Sequence, residues 1–307
     1  MSDSTMDSSA EGSKSGRPLV RFQDVDVALA GHTILHGLNW ELRAGEHWAV
    51  VGANGSGKTS FLRLVAGTLW PAPNSGTRRY DFEGELQIDA VQALGKITLV
   101  GHELQDRYTR LGWNFDAVDV VLSGLNRTDI PRHQPEAKDR IRARGLLRKL
   151  KLLDLADRPF LELSRGEQRR ILIARALAFK PIILILDEPA AGLDANSRRD
   201  LNETVEQISE NITVLCSYHE AANLPRNMNR LLCLADGHVT ESGPIPASSD
   251  AYGNHAVAGS TPRASSRQSM PAMKRRSSTF SMPISGSINT VRWQTSSGSS
   301  WKESTGN

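Results

Sequence analysis

Aromatic side chains are scarce in this sequence: Phe, Tyr and Trp together make up 6% of its 307 residues. Cysteine is scarcer still, with Cys216 and Cys233 alone. Two cysteines without metal-ligand spacing exclude a disulfide scaffold and a zinc module. Both thiols are expected to be buried and reduced. Long apolar runs are missing as well. The most apolar segment, Ile182 to Leu186, has the length of a core strand and falls far short of the roughly 20 residues that span a bilayer. No secretory leader pattern opens the chain. A cytoplasmic protein is expected, one that reaches a membrane only through a separate partner. Sustained heptads are also absent, which excludes a long coiled coil.

Excess charge of either sign is lacking too. The chain carries 37 Lys and Arg against 34 Asp and Glu, a formal +3. That excess is local. Residues 246–307 hold seven basic and two acidic residues among 16 serines, a net +5 that leaves −2 for the rest. The alkaline pI of about 8.9 therefore belongs to this tail, and no direct nucleic-acid partner is expected. Residues 1–17 and 246–307 are polar and aperiodic, and are expected to be disordered. The span 18–245 between them suits one domain. In the tail, Arg275-Arg276-Ser277-Ser278 fits a basophilic kinase site at Ser278, a pattern that Ser/Arg-rich composition often produces by chance. Trp293, Gly298 and Trp301 repeat the spacing of Trp40, Gly45 and Trp48. That echo fits either coincidence or a truncated second unit.

What is present centres on Gly52-Ala53-Asn54-Gly55-Ser56-Gly57-Lys58-Thr59, the pattern of a phosphate-binding loop. An apolar run of strand length, Trp48 to Val51, precedes it. Apolar residues at helical spacing follow from Ser60 onward. Glycines let successive backbone N–H groups converge on phosphates, and the helix N-terminus adds partial positive charge. Lys58 can reach the phosphates as a mobile cation, and the Thr59 hydroxyl can ligate Mg²⁺.

A second run, Ile182 to Leu186, ends in Asp187-Glu188-Pro189. A wholly apolar strand suits a parallel sheet covered on both faces. Carboxylates at its carboxyl end fall in the ligand crevice. Asp187 can hold Mg²⁺ and Glu188 can polarise a water. About 20 residues upstream stands Leu163-Ser164-Arg165-Gly166-Glu167-Gln168, and downstream stand Ala191-Gly192-Leu193-Asp194 and His219 after the β-rich run from Thr213.

In this order the motifs resemble the ATP-binding cassette (ABC) family of ATPases, over about residues 18 to 245. The resemblance implies an α/β fold: a P-loop NTPase core with an antiparallel β subdomain and a helical arm at about 107–162 that docks onto a transporter. It implies ATP and Mg²⁺ as ligands. Gly52, Asn54, Gly55, Ser56, Gly57, Lys58, Thr59 and Ser60 would hold nucleotide. Ser164, Gly166 and Glu167 match the signature loop, which caps the ATP of the other subunit, although Arg165 replaces the family's first glycine. Asp194 matches the loop that crosses the dimer interface. Glu188 and His219 match the catalytic glutamate and the switch histidine. Gln105, in Val100-Gly101-His102-Glu103-Leu104-Gln105, is the candidate for the glutamine that senses metal, although a more direct alignment puts His102 there. Leu29 falls where the family stacks an aromatic ring on adenine. The segment Trp40 to Thr59 looks most like tandem cassettes associated with molybdate transport.

The resulting expectation is an ATP-hydrolysing subunit, paired with a second cassette as homo- or heterodimer and driving a separate transmembrane subunit. The alternative is a soluble ABC ATPase acting on ribosomes, cluster assembly or DNA. Around the motifs, 19–51 reads as strand-rich and 71–100 as strands around turns. Glu136 to Leu155 reads as an amphipathic helix bearing Ile141, Leu146, Leu147, Leu150, Leu152 and Leu153. From 165 to 245 helices alternate with parallel strands.

Overall fold

The computed structural model describes residues 16–82, 86–87, 90–131, 135–221 and 224–245. Most of the polar head and the whole tail, with Ser278 and the tryptophan echo, lie outside the described residues. Arg17 already belongs to the folded domain, because the Ala44 N–H donates to its carbonyl at 2.8 Å.

Two strands open the fold, β1 (Pro18–Leu29) and β2 (His32–Arg43). They pair antiparallel through a two-residue turn at Ala30 and Gly31, with φ of 50° and 82°. Positive φ at both central residues matches the twist of a hairpin. With β4 (Thr77–Asp81) and β5 (Leu86–Gln87) they form an antiparallel sheet in the order β2-β1-β4-β5. The second sheet contains β3 (Trp48–Val51), β6 (Ile97–Val100), β7 (Ile183–Leu186), β8 (Thr213–Tyr218), β9 (Arg230–Ala235) and β10 (His238–Pro244). Its order is β10-β9-β3-β8-β7-β6. The pairs from β9 to β6 are parallel, but β10 turns back antiparallel on β9. The parallel pattern expected to run to residue 245 therefore ends in a hairpin, turned by Asp236 and Gly237 at φ 47° and 77°.

Helices cover both faces of this sheet: α1 (Lys58–Ala66), α2 (Ala90–Leu94), α3 (His102–Leu111), α4 (Ala117–Leu125), α5 (Ala137–Lys149), α6 (Arg165–Ala178) and α7 (Ala195–Ser209). Every residue of β3, β7 and β8 is buried. Successive side chains point to opposite faces. Leu184, Leu186, Val214 and Cys216 thus join α4 to α7 in one core, while Ile183, Ile185 and Leu215 join α1 and the antiparallel sheet in another. Each such side chain contributes about 1.5–3 kcal/mol on burial. Four of the aromatics gather where the two sheets meet. Trp40 lies edge-on to Trp48 at 5.3 Å and to Phe61 at 5.0 Å, and Phe22 closes the group.

Three expectations are corrected here. The helical region begins at His102, before residue 107, because Gly101 ends β6 and α3 follows at once. The amphipathic helix stops at Lys149, and Lys151 turns to φ 56°. Its buried stripe is Ala143, Leu147 and Leu150, at i, i+4 and i+7, so Ile141 lies off the stripe and is 72% exposed. Cys216 is buried as expected, but Cys233 is only half-buried, on β9 beside Glu241. Burial, and then the Glu241 charge, push the Cys233 thiol up to about 11. Among the described residues no helix is long and apolar enough to cross a membrane.

Candidate functional site

The phosphate loop leaves β3 and enters α1 in the geometry its glycines demand. A Cβ on Gly52 would stand 2.4 Å from the Leu234 carbonyl oxygen and 2.5 Å from Ser56 Oγ. Gly57 sits at φ 103°, and a Cβ there would stand 2.6 Å from Leu35 Cδ2. Gly57 caps α1 without any side-chain acceptor, so the first-turn N–H groups face outward as an anion site. Ser56 Oγ is buried and has no partner among the described residues. Lys58 Nζ donates to the carbonyls of Gly52 (2.9 Å) and Ala53 (3.1 Å). The far end of α1 is fastened too: Arg78 donates to the carbonyls of Leu64 and Leu69, and the Tyr80 hydroxyl donates to those of Leu64 and Val65. A cation there complements the helix dipole.

Strand order assembles the rest. β3, β8 and β7 are neighbours, so the loop after β3, His219 after β8 and the acidic pair after β7 converge at one edge of the sheet. Glu188 Oε1 lies 3.4 Å from Lys58 Nζ, and its Oε2 lies 3.3 Å from His219 Nε2. The backbone of Glu188 is left-handed at φ 48°, an unfavourable state for a non-glycine residue that surrounding contacts must hold. Ser217 of β8 supplies one. Its hydroxyl accepts the Glu188 N–H at 2.8 Å and donates to Asp187 Oδ1 at 2.7 Å. Arg169 supplies another, donating to the carbonyls of Glu188 and Pro189. No local pattern marks Ser217, an ordinary serine in a strand, or Arg169, one of several arginines on its helix.

A cleft of about 460 Å³ runs along this edge. Asn54, Gly55, Gly57, Lys58, Thr59, Ser60 and Glu188 line it together with Leu29, Thr33, Ile34, His36, Asp236 and Gly237. The remaining candidates stand apart from it. Ser164 caps α6 in a reciprocal box with Glu167: Ser164 Oγ accepts the Glu167 N–H at 3.3 Å, and Glu167 Oε2 accepts the Ser164 N–H at 2.8 Å. Gly166 is needed because a Cβ would stand 2.8 Å from Ser197 Cβ. Asp194 caps α7, accepting from the N–H groups of Asn196 and Ser197 at 3.0 Å. Gln105 is buried in α3 and lines a smaller pocket with His102, Asp187 and Glu188. Both ends of its amide are engaged: Nε2 donates to Gln168 Oε1 at 2.8 Å, and Oε1 accepts from Arg169 Nε at 3.3 Å. His102 is the exposed first residue of the same helix.

A glycine-lined loop opening a helix, a lysine inside it and a carboxylate pair on a nearby strand define a nucleotide-hydrolysing P-loop protein. The comparisons give its kind. The family model described as ABC transporter matches residues 35–191. The ABC transporter ATP-binding protein YlmA of Bacillus subtilis is 32% identical over 74% of this chain and 86% of its own. The L-cystine transport system ATP-binding protein TcyN of Escherichia coli is 30% identical over 71% of this chain and 86% of its own. The structure of cbiO1 from Clostridium perfringens, part of the ABC transporter complex cbiONQ, superposes with a TM-score of 0.62 at 24% identity, over 74% of this chain and 89% of that one. The chain belongs to the ABC transporter family. It is an ATP-binding, ATP-hydrolysing subunit, and transport prevails over the ribosomal, cluster-assembly and DNA alternatives.

Proposed function

We propose that the chain hydrolyses ATP with Mg²⁺ in the cleft beside Lys58, works as a head-to-tail dimer, and drives a separate transmembrane subunit from the cytoplasmic face of the inner membrane. One observation carries the chemistry: the Glu188 carboxylate lies 3.4 Å from Lys58 Nζ and 3.3 Å from His219 Nε2. A carboxylate between two nitrogen groups at the phosphate end of the cleft is placed to accept a proton from an attacking water. Lys58 then stabilises charge on the transferred phosphoryl group, and His219 orients the carboxylate.

The donor set suits magnesium, which takes one or two carboxylates together with substrate phosphates. Asp187 and the Thr59 hydroxyl would hold it, and the buried, unpartnered Ser56 hydroxyl adds a polar group to the same loop. Bound there, the metal neutralises charge on the phosphates. Gln105 would join it once Arg169 releases its Oε1. Until then Gln105 links the carboxylate side to α6.

Ser164, Gly166, Glu167 and Asp194 are absent from the walls of the Lys58 cleft. A second cassette, identical or related, would bring its own set to that cleft. The Trp40 to Thr59 segment supports the tandem type associated with molybdate transport, and the helical arm is the surface for the membrane subunit. Glu188→Gln is expected to lower turnover by about 10²–10⁴-fold while ATP stays bound. Steady-state hydrolysis equal to that of the unsubstituted chain would remove Glu188 from the reaction.

A further inference from the structure

Outside the phosphate loop, the lining of the cleft offers little that grips a flat ring. Leu29, Thr33 and Ile34 belong to it, and His36 is the single ring among the described lining residues. That ring is held in place. It stacks on His238 of β10 with centroids 4.6 Å apart and planes 10° from parallel. The backbone beneath is tied to the loop: the His36 N–H donates to the Gly237 carbonyl at 3.0 Å, and the Gly237 N–H donates to the Ser56 carbonyl at 3.2 Å. Only glycine fits at 237, since a Cβ would stand 2.4 Å from the Ile34 carbonyl oxygen. Among the described residues, neither imidazole has a hydrogen bond or an ion pair on its nitrogens.

One ring in the cleft wall, tied through its backbone to the phosphate loop and backed by a second ring, makes a surface suited to a third. We propose that the His36–His238 pair is the platform for the nucleobase of the bound nucleotide, so that this pair, and not Leu29, sets affinity for the nucleoside end. The inference rests on the ATP site proposed above. Every base offers a π-face, and a base–aromatic contact is worth about 5- to 150-fold in affinity. A single imidazole, small and polar, belongs near the lower end.

The test compares two ligands on the full chain, ATP and inorganic tripolyphosphate, both with Mg²⁺, by equilibrium binding. His36→Leu is expected to weaken ATP about tenfold and to leave tripolyphosphate unchanged. His36→Phe should keep ATP near its original affinity, and His238→Ala should lose part of it, because the backing ring is gone. Equal weakening of both ligands by His36→Leu would move the contact to the phosphates and overturn the proposal, as would an unchanged ATP affinity. A second measurement needs no substitution. The C2–H proton signals of His36 and His238 should shift upfield with ATP, through its ring current, and stay in place with tripolyphosphate. Identical spectra with the two ligands would also overturn it. If the unsubstituted chain binds neither ligand, the ATPase reading falls and the inference with it. If it binds both and His36→Leu leaves their ratio unmoved, the inference alone falls.

Discussion

Ser217 and Asp187 share one short contact, hydroxyl to carboxylate at 2.7 Å, and the same serine oxygen accepts the N–H of Glu188 at 2.8 Å. One side chain on the strand between the loop and the acidic pair therefore holds the Asp187 carboxylate and the strained backbone beside it. Ser217→Ala is expected to leave a buried carboxylate oxygen and a backbone N–H without their partner, at a cost of about 1–3 kcal/mol. Denaturant unfolding should show the loss of stability, and the ATPase rate should fall with it. Wild-type values for both would mean that other groups hold Glu188 in its left-handed state.

Gly57 has no tolerable replacement. Its φ of 103° acts together with Leu35 Cδ2, which lies 2.6 Å from where an alanine methyl would stand. Gly57→Ala should cost about 1–3 kcal/mol in backbone strain and displace the N–H groups that open α1. Calorimetric titration with ATP is expected to show affinity reduced at least tenfold. Gly55, at φ 80° but with open space around it, should tolerate the same change better.

The dimer has a direct test in sizing by light scattering. Glu188→Gln with saturating ATP is expected to form dimers, and adding Ser164→Arg should return monomers. Ser164 also caps α6, so the same substitution should cost about 1 kcal/mol in the monomer. Ser164→Ala removes the cap without adding bulk and serves as the control. A Glu188→Gln protein that stays monomeric with ATP would point to a different cassette as the partner.

His47 gives the fold a pH dependence of known sign. It is buried, its Nδ1 accepts the Val214 N–H at 3.3 Å, and burial lowers its pKa below 6.5. The unfolded chain therefore takes up this proton at a higher pH than the folded one. Stability should be flat with respect to this group above about pH 7, decline as pH falls through 6.5, and level off below the lowered value. The slope cannot exceed about 1.4 kcal/mol per pH unit for one proton. His47→Asn should flatten that part of the profile in urea titrations from pH 7.5 to 5.

What the sequence disclosed was local. The phosphate loop, the apolar run before Asp187 and the cap at Ser164 are each written within about eight consecutive residues, where glycine sterics, burial and capping act. The adjacency of β3, β8 and β7 is not local. It brings Lys58 within 3.4 Å of Glu188 across 130 residues of chain, and no spacing rule predicts it. Ser217 and Arg169 matter only through that adjacency, so neither stands out in the sequence. Ile141 falls outside the core because a Leu-rich, Arg-rich helix offers more than one candidate stripe, and packing of α5 on α4 and α6 selects the one through Leu147. The environment of Gln105 is equally non-local, since its neighbours Gln168 and Arg169 come from a helix about 60 residues away.

Helix α6 starts at Ser164, and about 7.5 Å further along its axis Arg169 grips the carbonyls of Glu188 and Pro189. In the head-to-tail pair proposed above, these two points would answer to different nucleotides, the first to the one on the opposite cassette, the second to the one on its own. A rigid rod this short cannot shift at one end and stay still at the other. The two reaction centres of such a dimer would therefore be mechanically in series, with closure on one nucleotide felt at the backbone beside the other glutamate.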